Sequence, residues 1–186
     1  MKKIISLATF CLLIFIFALS TKCLAQALTP EAVKEQLVKD WERAKIYTVE
    51  YLNAMPADKY TFKANDSVRS FAQHMLHLAQ SSVLLISTAT DQEPLSWIKS
   101  DPQHSPTAEK KDSVMYYVTA SYDYCINAIK NADVNKWNEK KKIFSYEETR
   151  FAIINKAFEH QTHHRGQTTI YIRLQGIKPP QERLFR

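Results

Sequence analysis

Glu159-His160-Gln161-Thr162-His163-His164-Arg165-Gly166-Gln167 lies near the end of the longest helical pattern in the sequence. His160 and His164 are four residues apart, so on an α-helix they lie one turn apart on the same face. They belong to a stripe that alternates steps of four and three residues: Ile153, Ala157, His160, His164, Gln167, Tyr171 and Leu174. Such a stripe is typical of the inward face of a helix in a bundle. Because buried imidazole and amide groups are costly without partners, we expect these side chains to meet a ligand or other polar groups inside the molecule.

The first 25 residues predict a secretory signal peptide. Lys2 and Lys3 form a basic start, residues 4–19 are an uncharged apolar run, and small residues end the segment at Ala25. This order is that of a cleavable export signal. The apolar run is short for a membrane span of about 20 residues. We therefore expect cleavage after Ala25, an exported protein in the periplasm or outside the cell, and no stable membrane span after cleavage.

Residues 26–186 then form a single domain, whose charge argues against nucleic-acid binding. The whole chain carries a net charge of +6, and loss of the signal segment with its three lysines lowers it to +3. The sequence shows no lysine or arginine stripe of the kind that nucleic-acid binding needs. Cys125 is the one cysteine left in this domain, which excludes an internal disulfide and a C-x-x-C-H haem attachment. The domain must therefore fold on its apolar core.

Four long amphipathic patterns predict an all-α fold, a four-helix bundle. The chain has two glycines and no run with the alternating period of a strand, which supports helices throughout. The predicted helices cover about residues 30–54, 68–88, 108–131 and 146–174. The proline-rich connection 91–106 is long for a compact domain and indicates a functional loop, a lid or a crossover between halves of the bundle. The basic run 140–142 is expected to be a solvated loop.

Short local signals mark the ends of these helices. Thr29, directly before a proline, predicts the N-cap of the first helix. Ser145 and Glu148 have the spacing of a capping box and predict the start of the last helix. Gly176 predicts a left-handed residue just beyond its end.

A second helix offers the third imidazole for the histidine pair. His74 and His77 lie one turn apart beside the apolar flank of that helix, and the helical pattern alone does not separate them. Three imidazoles on two helices leave an open coordination position, as in catalytic zinc sites. Gln167, one turn beyond His164, is placed to orient a ligand imidazole or a bound water. The alternative is a set of core histidines with polar partners and no metal.

Four other residues have plainer interpretations. Gly166 in mid-helix costs up to about 1 kcal/mol, which indicates close approach of another helix or room for a ligand. Arg165 is expected to have a structural role. His163 points away from the stripe by about a third of a turn, and His104 lies in the proline-rich connection, so both are expected near the surface.

The sequence resembles the DinB/YfiT-like family in three places. Residues 55–71 are similar to the first interhelical segment of that family, and residues 71–79 to its second-helix motif, in which the histidine before Leu-Ala is a ligand. The last-helix signature matches most closely, and the three segments read as follows: Met55-Pro56-Ala57-Asp58-Lys59-Tyr60 with Asn65-Asp66-Ser67-Val68-Arg69-Ser70-Phe71, then Phe71-Ala72-Gln73-His74-Met75-Leu76-His77-Leu78-Ala79, then His160-x-x-His163-His164-Arg165-Gly166-Gln167 with Tyr171-x-Arg173-x-x-Gly176-x-x-Pro179-Pro180.

The resemblance implies a four-helix bundle of up-down-down-up connectivity. It also implies a divalent metal ion, zinc or nickel, bound by His77, His160 and His164, so the choice of His77 over His74 comes from the resemblance. Members of the family often dimerise, which implies a possible homodimer.

Within this family the function expected from the sequence is hydrolysis of a small molecule, of unknown identity, by a metal-activated water. No dedicated general base is visible beside the histidines. Three alternatives stay open: a non-catalytic metal- or ligand-binding bundle of the cell envelope, a thiol transferase, and a bis-histidine haem bundle. Export argues against thiol transfer, because low-molecular-weight thiols are cytosolic.

Overall fold

The computed structural model describes residues 28–185, which are mostly helical. The signal peptide predicted for residues 1–25 lies outside the described residues. Within them, no helix is both long and apolar enough to cross a membrane. Four long helices dominate: α1 (Pro30–Ala54), α2 (Phe71–Thr90), α3 (Lys111–Asn131) and α4 (Arg150–Leu174). Short 3₁₀ turns lie in the connections: Ala57–Lys59, Ser96–Ser100, Pro102–His104 and Val134–Lys136.

The four helices pack around one apolar core. Helix α4 packs against α2 and α1, and α3 packs against the same two helices. Trp41 lies at the centre, fully buried, with its ring edge-on to Tyr122 and to Phe158 at centroid distances of 5.7 Å. Such edge-to-face pairs add to the gain from apolar burial. The core thus holds α1, α3 and α4 at fixed separations, which positions the polar groups that α4 carries.

Local caps explain where the first two helices begin. Thr29 accepts a hydrogen bond from the amide of Ala32, so the predicted first cap is confirmed. Helix α2 begins three residues later than predicted. Ser70 and Gln73 form a reciprocal capping box there, whereas the Asn65 side chain accepts a bond from the Ser67 amide and closes a separate turn.

The expectation of helices without strands is wrong in one connection. Lys140–Ile143 (β1) and Tyr146–Thr149 (β2) form an antiparallel hairpin. Lysines of the first strand lie opposite glutamates of the second, as in the pairs Lys141–Glu148 and Lys142–Glu147, and opposite charges favour such cross-strand pairs. The basic run predicted to be a free loop is therefore one edge of this hairpin.

Ser145 lies in the hairpin turn, so the predicted capping box is also wrong. The turn begins with Phe144, whose φ of 53° is left-handed. Helix α4 begins only after the second strand, where Thr149 accepts a hydrogen bond from the amide of Ala152. At the other end of α4, Gly176 has a φ of 73°, which confirms the predicted left-handed residue.

Arg150 fixes the start of α4 to the end of α2. Its side chain is largely buried and donates to the carbonyl of Ala89 at 2.8 Å and to carboxylates of Asp91 and Glu139. Hydrogen bonds from Lys141 and Arg150 lower the pKa of Asp91. Because Arg150 joins three separate segments, it ties the hairpin and α4 to the helix that faces them.

The cap of α4 gives a direct test of the corrected helix start. We expect Thr149→Ala to lower the free energy of unfolding by about 1 kcal/mol, because it removes the acceptor for a helix-end amide. Ser145→Ala is the matched control, and as an exposed turn substitution it should change stability by less than about 0.5 kcal/mol. Urea unfolding followed by circular dichroism measures both. A larger loss in Ser145→Ala would contradict the assignment.

Candidate functional site

Helices α2 and α4 bring three histidines together. His77, His160 and His164 each offer one ring nitrogen, and these nitrogens all lie within 4.8 Å of one another. The ring centroids are 4.4 Å apart for His160 and His164, 4.6 Å for His77 and His164, and 5.1 Å for His77 and His160. Two of the rings come from adjacent turns of one helix and the third from the facing helix. These three residues are called the histidine cluster.

The orientation of His77 is set by the long connection between α2 and α3. Its Nδ1 lies 2.9 Å from Oε1 of Gln103. An amide oxygen only accepts, so Nδ1 carries the proton and the lone pair of His77 lies on Nε2. Gln103 belongs to the 3₁₀ turn Pro102–His104. The connection expected to be a functional loop therefore contributes a residue that holds a ring of the cluster.

His74 lies outside the cluster but contacts it. Its Nδ1 is 3.1 Å from Nδ1 of His164, and only 5% of the residue is exposed. Two ring nitrogens at this distance share one proton, so one ring donates and the other accepts. The structure thus separates the two histidines of α2: His77 joins the cluster and His74 supports it.

His160 contains one of the buried polar atoms that lack a hydrogen-bond partner within the described residues. Its Nδ1 is buried and has no hydrogen-bond partner among residues 28–185. Buried polar side-chain atoms are nearly always bonded, and each exception calls for an explanation such as an ion. A metal ion fits this exception and the all-imidazole donor set, since neutral histidines are common ligands of zinc and nickel.

Burial keeps these rings neutral. Desolvation lowers the pKa of His74 and of His160 to about 4 and that of His164 to about 2. The same cause lowers the pKa of His77, and the positive charge of Arg69 adds to it. Near neutral pH the rings are therefore uncharged. A neutral imidazole has a free lone pair, which is the form that binds metals.

A second polar group lies next to the cluster on α4. Arg165 is 6% exposed and donates to Oε1 of Gln161 at 2.9 Å and to Oγ1 of Thr48 at 3.3 Å. Its guanidinium lies 4.6 Å from the centre of the Tyr47 ring. The hydroxyl of Tyr122 donates to the same oxygen of Gln161 at 2.7 Å. We call Thr48, Tyr122, Gln161 and Arg165 the polar network. Arg165 has the structural role that we expected, whereas the stripe missed Gln161.

The inward face of α4 is rotated from the predicted stripe. Gln161 and Thr168 are fully buried, whereas Leu174 is 55% exposed. Gln167 is also exposed, and its amide makes no hydrogen bond to a ring within the described residues. A Cβ added at Gly166 would meet nothing within 4 Å, so close approach of another helix does not explain this glycine.

A groove of about 780 Å³ opens beside the cluster. His74 and His164 form part of its wall, and Gln167 lies along it together with His104 and His163. The latter two are exposed, as expected, and His104 pairs with Asp101 at 2.7 Å. A groove of this size accommodates a small molecule.

Comparisons with known proteins agree with this arrangement at the level of family and fold. The sequence matches the model of the DinB family over residues 25–184. A DinB-like protein from Bacillus cereus ATCC 10987 has a similar structure, with a TM-score of 0.68 and 15% identity over 80% of this chain and 96% of its own. A DinB-like protein from Bacillus subtilis is similar with a TM-score of 0.61 and 19% identity, over 81% of this chain and 96% of its own. No match was found among curated proteins. At these identities the structural likeness concerns the fold alone.

The polar network predicts that removing the hydroxyl of Tyr122 lowers stability more than removing that of Tyr116. Burial raises the pKa of Tyr122 to about 12, so its hydroxyl stays protonated and donates to Gln161. We expect Tyr122→Phe to cost about 1–2 kcal/mol of unfolding free energy, because it removes a buried hydrogen bond. Tyr116→Phe, on the exposed side of the same helix, should change stability by less than about 0.5 kcal/mol. Equal effects in urea unfolding would contradict the network.

Proposed function

Because the chain belongs to the DinB family, we propose that it binds a divalent metal ion, zinc or nickel, through His77, His160 and His164 and uses it to hydrolyse a small molecule. The observation that supports this most directly is the grouping of three imidazoles whose ring nitrogens lie within 4.8 Å of one another; one of the three, His160, has a buried ring nitrogen that lacks a hydrogen-bond partner within residues 28–185. Three protein ligands leave a coordination position free, which is typical of catalytic rather than structural zinc sites.

Each neighbouring residue has a defined task in this proposal. When bound, the metal supplies Lewis acidity, which lowers the pKa of water and polarises a carbonyl or phosphoryl oxygen. Gln103 keeps the proton of His77 on Nδ1, so that Nε2, whose one hydrogen-bond contact within the described residues is the Ser81 hydroxyl at 3.5 Å, keeps its lone pair for the metal. His74 engages Nδ1 of His164 and holds that ring in place. Such partners of ligand histidines fix ring orientation and tautomer.

The proposed function includes the setting of the protein. The contacts of α1 and α2 with both α3 and α4 support an up-down-down-up four-helix bundle. The charge and hydropathy of residues 1–25 support export and removal of that segment. We also propose that the protein forms a homodimer, as members of the family often do. Under this proposal hydrolysis takes place outside the cytoplasm.

Elemental analysis of the purified protein tests the metal site. We expect about one zinc or nickel ion per chain in the wild type and a large loss in His164→Ala, because two remaining imidazoles bind far more weakly than three. His104→Ala removes an exposed histidine outside the cluster and should retain full metal content. Added zinc should raise the melting temperature of the wild type and of His104→Ala, since a ligand that binds only the folded state stabilises it. Equal metal content in all three proteins would refute the site.

A loss of hydrolysis on metal removal tests the reaction. We expect the metal-loaded protein to cleave a carboxylic or phosphoric ester that fits the groove, and the chelator-treated protein to lose that activity until zinc or nickel is restored. A protein that binds metal and cleaves neither class of ester would support metal binding without catalysis.

The role of Gln103 gives a prediction that does not alter any proposed ligand. We expect Gln103→Ala to lower metal affinity about tenfold, the lower end of the range for partners of ligand histidines. Gln92→Ala, an exposed glutamine in the same connection, is the matched control and should leave affinity unchanged. Competition with a coloured chelator measures both. Unchanged affinity in Gln103→Ala would show that its bond to His77 does not serve metal binding.

A further inference from the structure

The groove beside the histidine cluster has an uneven distribution of charge. Lys63 and Arg69 line it together with His74 and His164. Of the described residues along the groove, only Asp66 is acidic. A concave surface with an excess of one charge concentrates ligands of the opposite charge. The balance of charges therefore favours a negatively charged occupant.

Arg69 differs from the arginines that stabilise the fold. Arg43 and Arg150 each pair with a carboxylate at 3.1 Å or less. In residues 28–185 no carboxylate lies within ion-pair distance of Arg69, and its side chain is exposed. Arg69 nevertheless lies at the site, because it lines the same groove as His74 and His164. The guanidinium is thus close to the cluster and free to bind an anion.

The backbone of Arg69 is held firmly in place. The hydroxyl of Tyr171 donates to the carbonyl of Arg69 at 2.7 Å, and Tyr171 is 5% exposed. The next residue, Ser70, caps helix α2, and the amide of Phe71 donates to the carbonyl of Phe62. Because these contacts hold the backbone at Arg69 and at the two residues after it, binding a ligand mainly restricts the side chain. This lowers the entropic cost of binding.

We propose that the groove binds a small molecule with an oxyanion group, a carboxylate or a phosphoryl group, and that Arg69 binds that group. A guanidinium presents two parallel N–H donors that match the oxygens of either group. With the oxyanion on Arg69, the rest of the molecule lies along the wall formed by His74 and His164. This inference rests on the proposed function, since it names the class of substrate that the metal site acts on.

Anion binding to variants at position 69 tests this inference. The probes are sodium phosphate and sodium acetate, titrated calorimetrically into zinc-loaded protein and into metal-stripped protein. We expect binding of at least one probe to the wild type and about tenfold weaker binding to Arg69→Gln, because a hydrogen-bonded charge pair is lost. Arg173→Gln removes an exposed arginine of α4 outside the groove and should bind as the wild type does. Arg69→Gln should also retain the wild-type zinc content.

The outcomes separate this inference from the proposed function. Equal affinity of the wild type and Arg69→Gln for both probes, or no binding of either probe, would overturn the role of Arg69 even if zinc is bound. Arg69-dependent binding to a protein that takes up no zinc would support the anion site and overturn the proposed metal site. Preference for phosphate or for acetate identifies which of the two oxyanion groups the groove accepts.

Discussion

Helix α4 buries polar side chains where a helix in a packed core normally carries leucine, and the rest of the structure satisfies them. His164, Gln161 and Arg165 lie on its inward side within two turns. A buried guanidinium with no carboxylate partner within the described residues is costly, because its charge has left water. Here neutral acceptors and an aromatic face surround it. Thr48 and Tyr47 of α1 contact the guanidinium, and Tyr122 of α3 donates to Gln161. The polar requirement of α4 is therefore met by side chains of two other helices.

The same requirement links the core to the site. The polar network holds Gln161, which lies between the two cluster residues of α4 in the sequence, and the apolar core packs against the same buried face of the helix. Ring positions in the histidine cluster therefore depend on groups that are not themselves members of the cluster. Pre-organisation of this kind is what a metal site needs, because misplaced imidazoles bind weakly. Polar side chains thus replace leucine along the buried face of α4, and they hold the rings of the histidine cluster in place.

Part of this site follows from sequence spacing and part does not. The pairing of His160 with His164 follows from the helical period alone, and the helix caps at Thr29 and Gly176 follow from residue type. The choice between His74 and His77 required the family resemblance, because both lie on the same side of α2. The role of Gln103 could not be predicted from the sequence, because its contact with His77 depends on how a long connection folds back onto the helix. The polar network could not be predicted either, because it depends on tyrosine and threonine side chains from other helices.

The hairpin between α3 and α4 shows a different limit. Its strands consist mainly of lysines and glutamates, which have no alternating apolar pattern, and an isolated hairpin of this length is marginal in water. Burial of Ile143 and the contacts of Arg150 hold it against the helices. Local sequence preferences could not indicate this, because tertiary contacts stabilise the strands.

The hydrogen bond between His77 and Gln103 couples two equilibria: the opening of the connection 91–106 and the binding of a ligand at the histidine cluster. The connection contains only short 3₁₀ turns, so its local opening costs less than unfolding of a core helix. A ligand that binds Nε2 of His77 also favours the state in which the connection is folded against α2 and Gln103 contacts His77. By thermodynamic reciprocity, that folded state favours the ligand equally. Protease resistance and amide exchange of residues 91–106 therefore report on the occupancy of the cluster, at a distance from the ion itself.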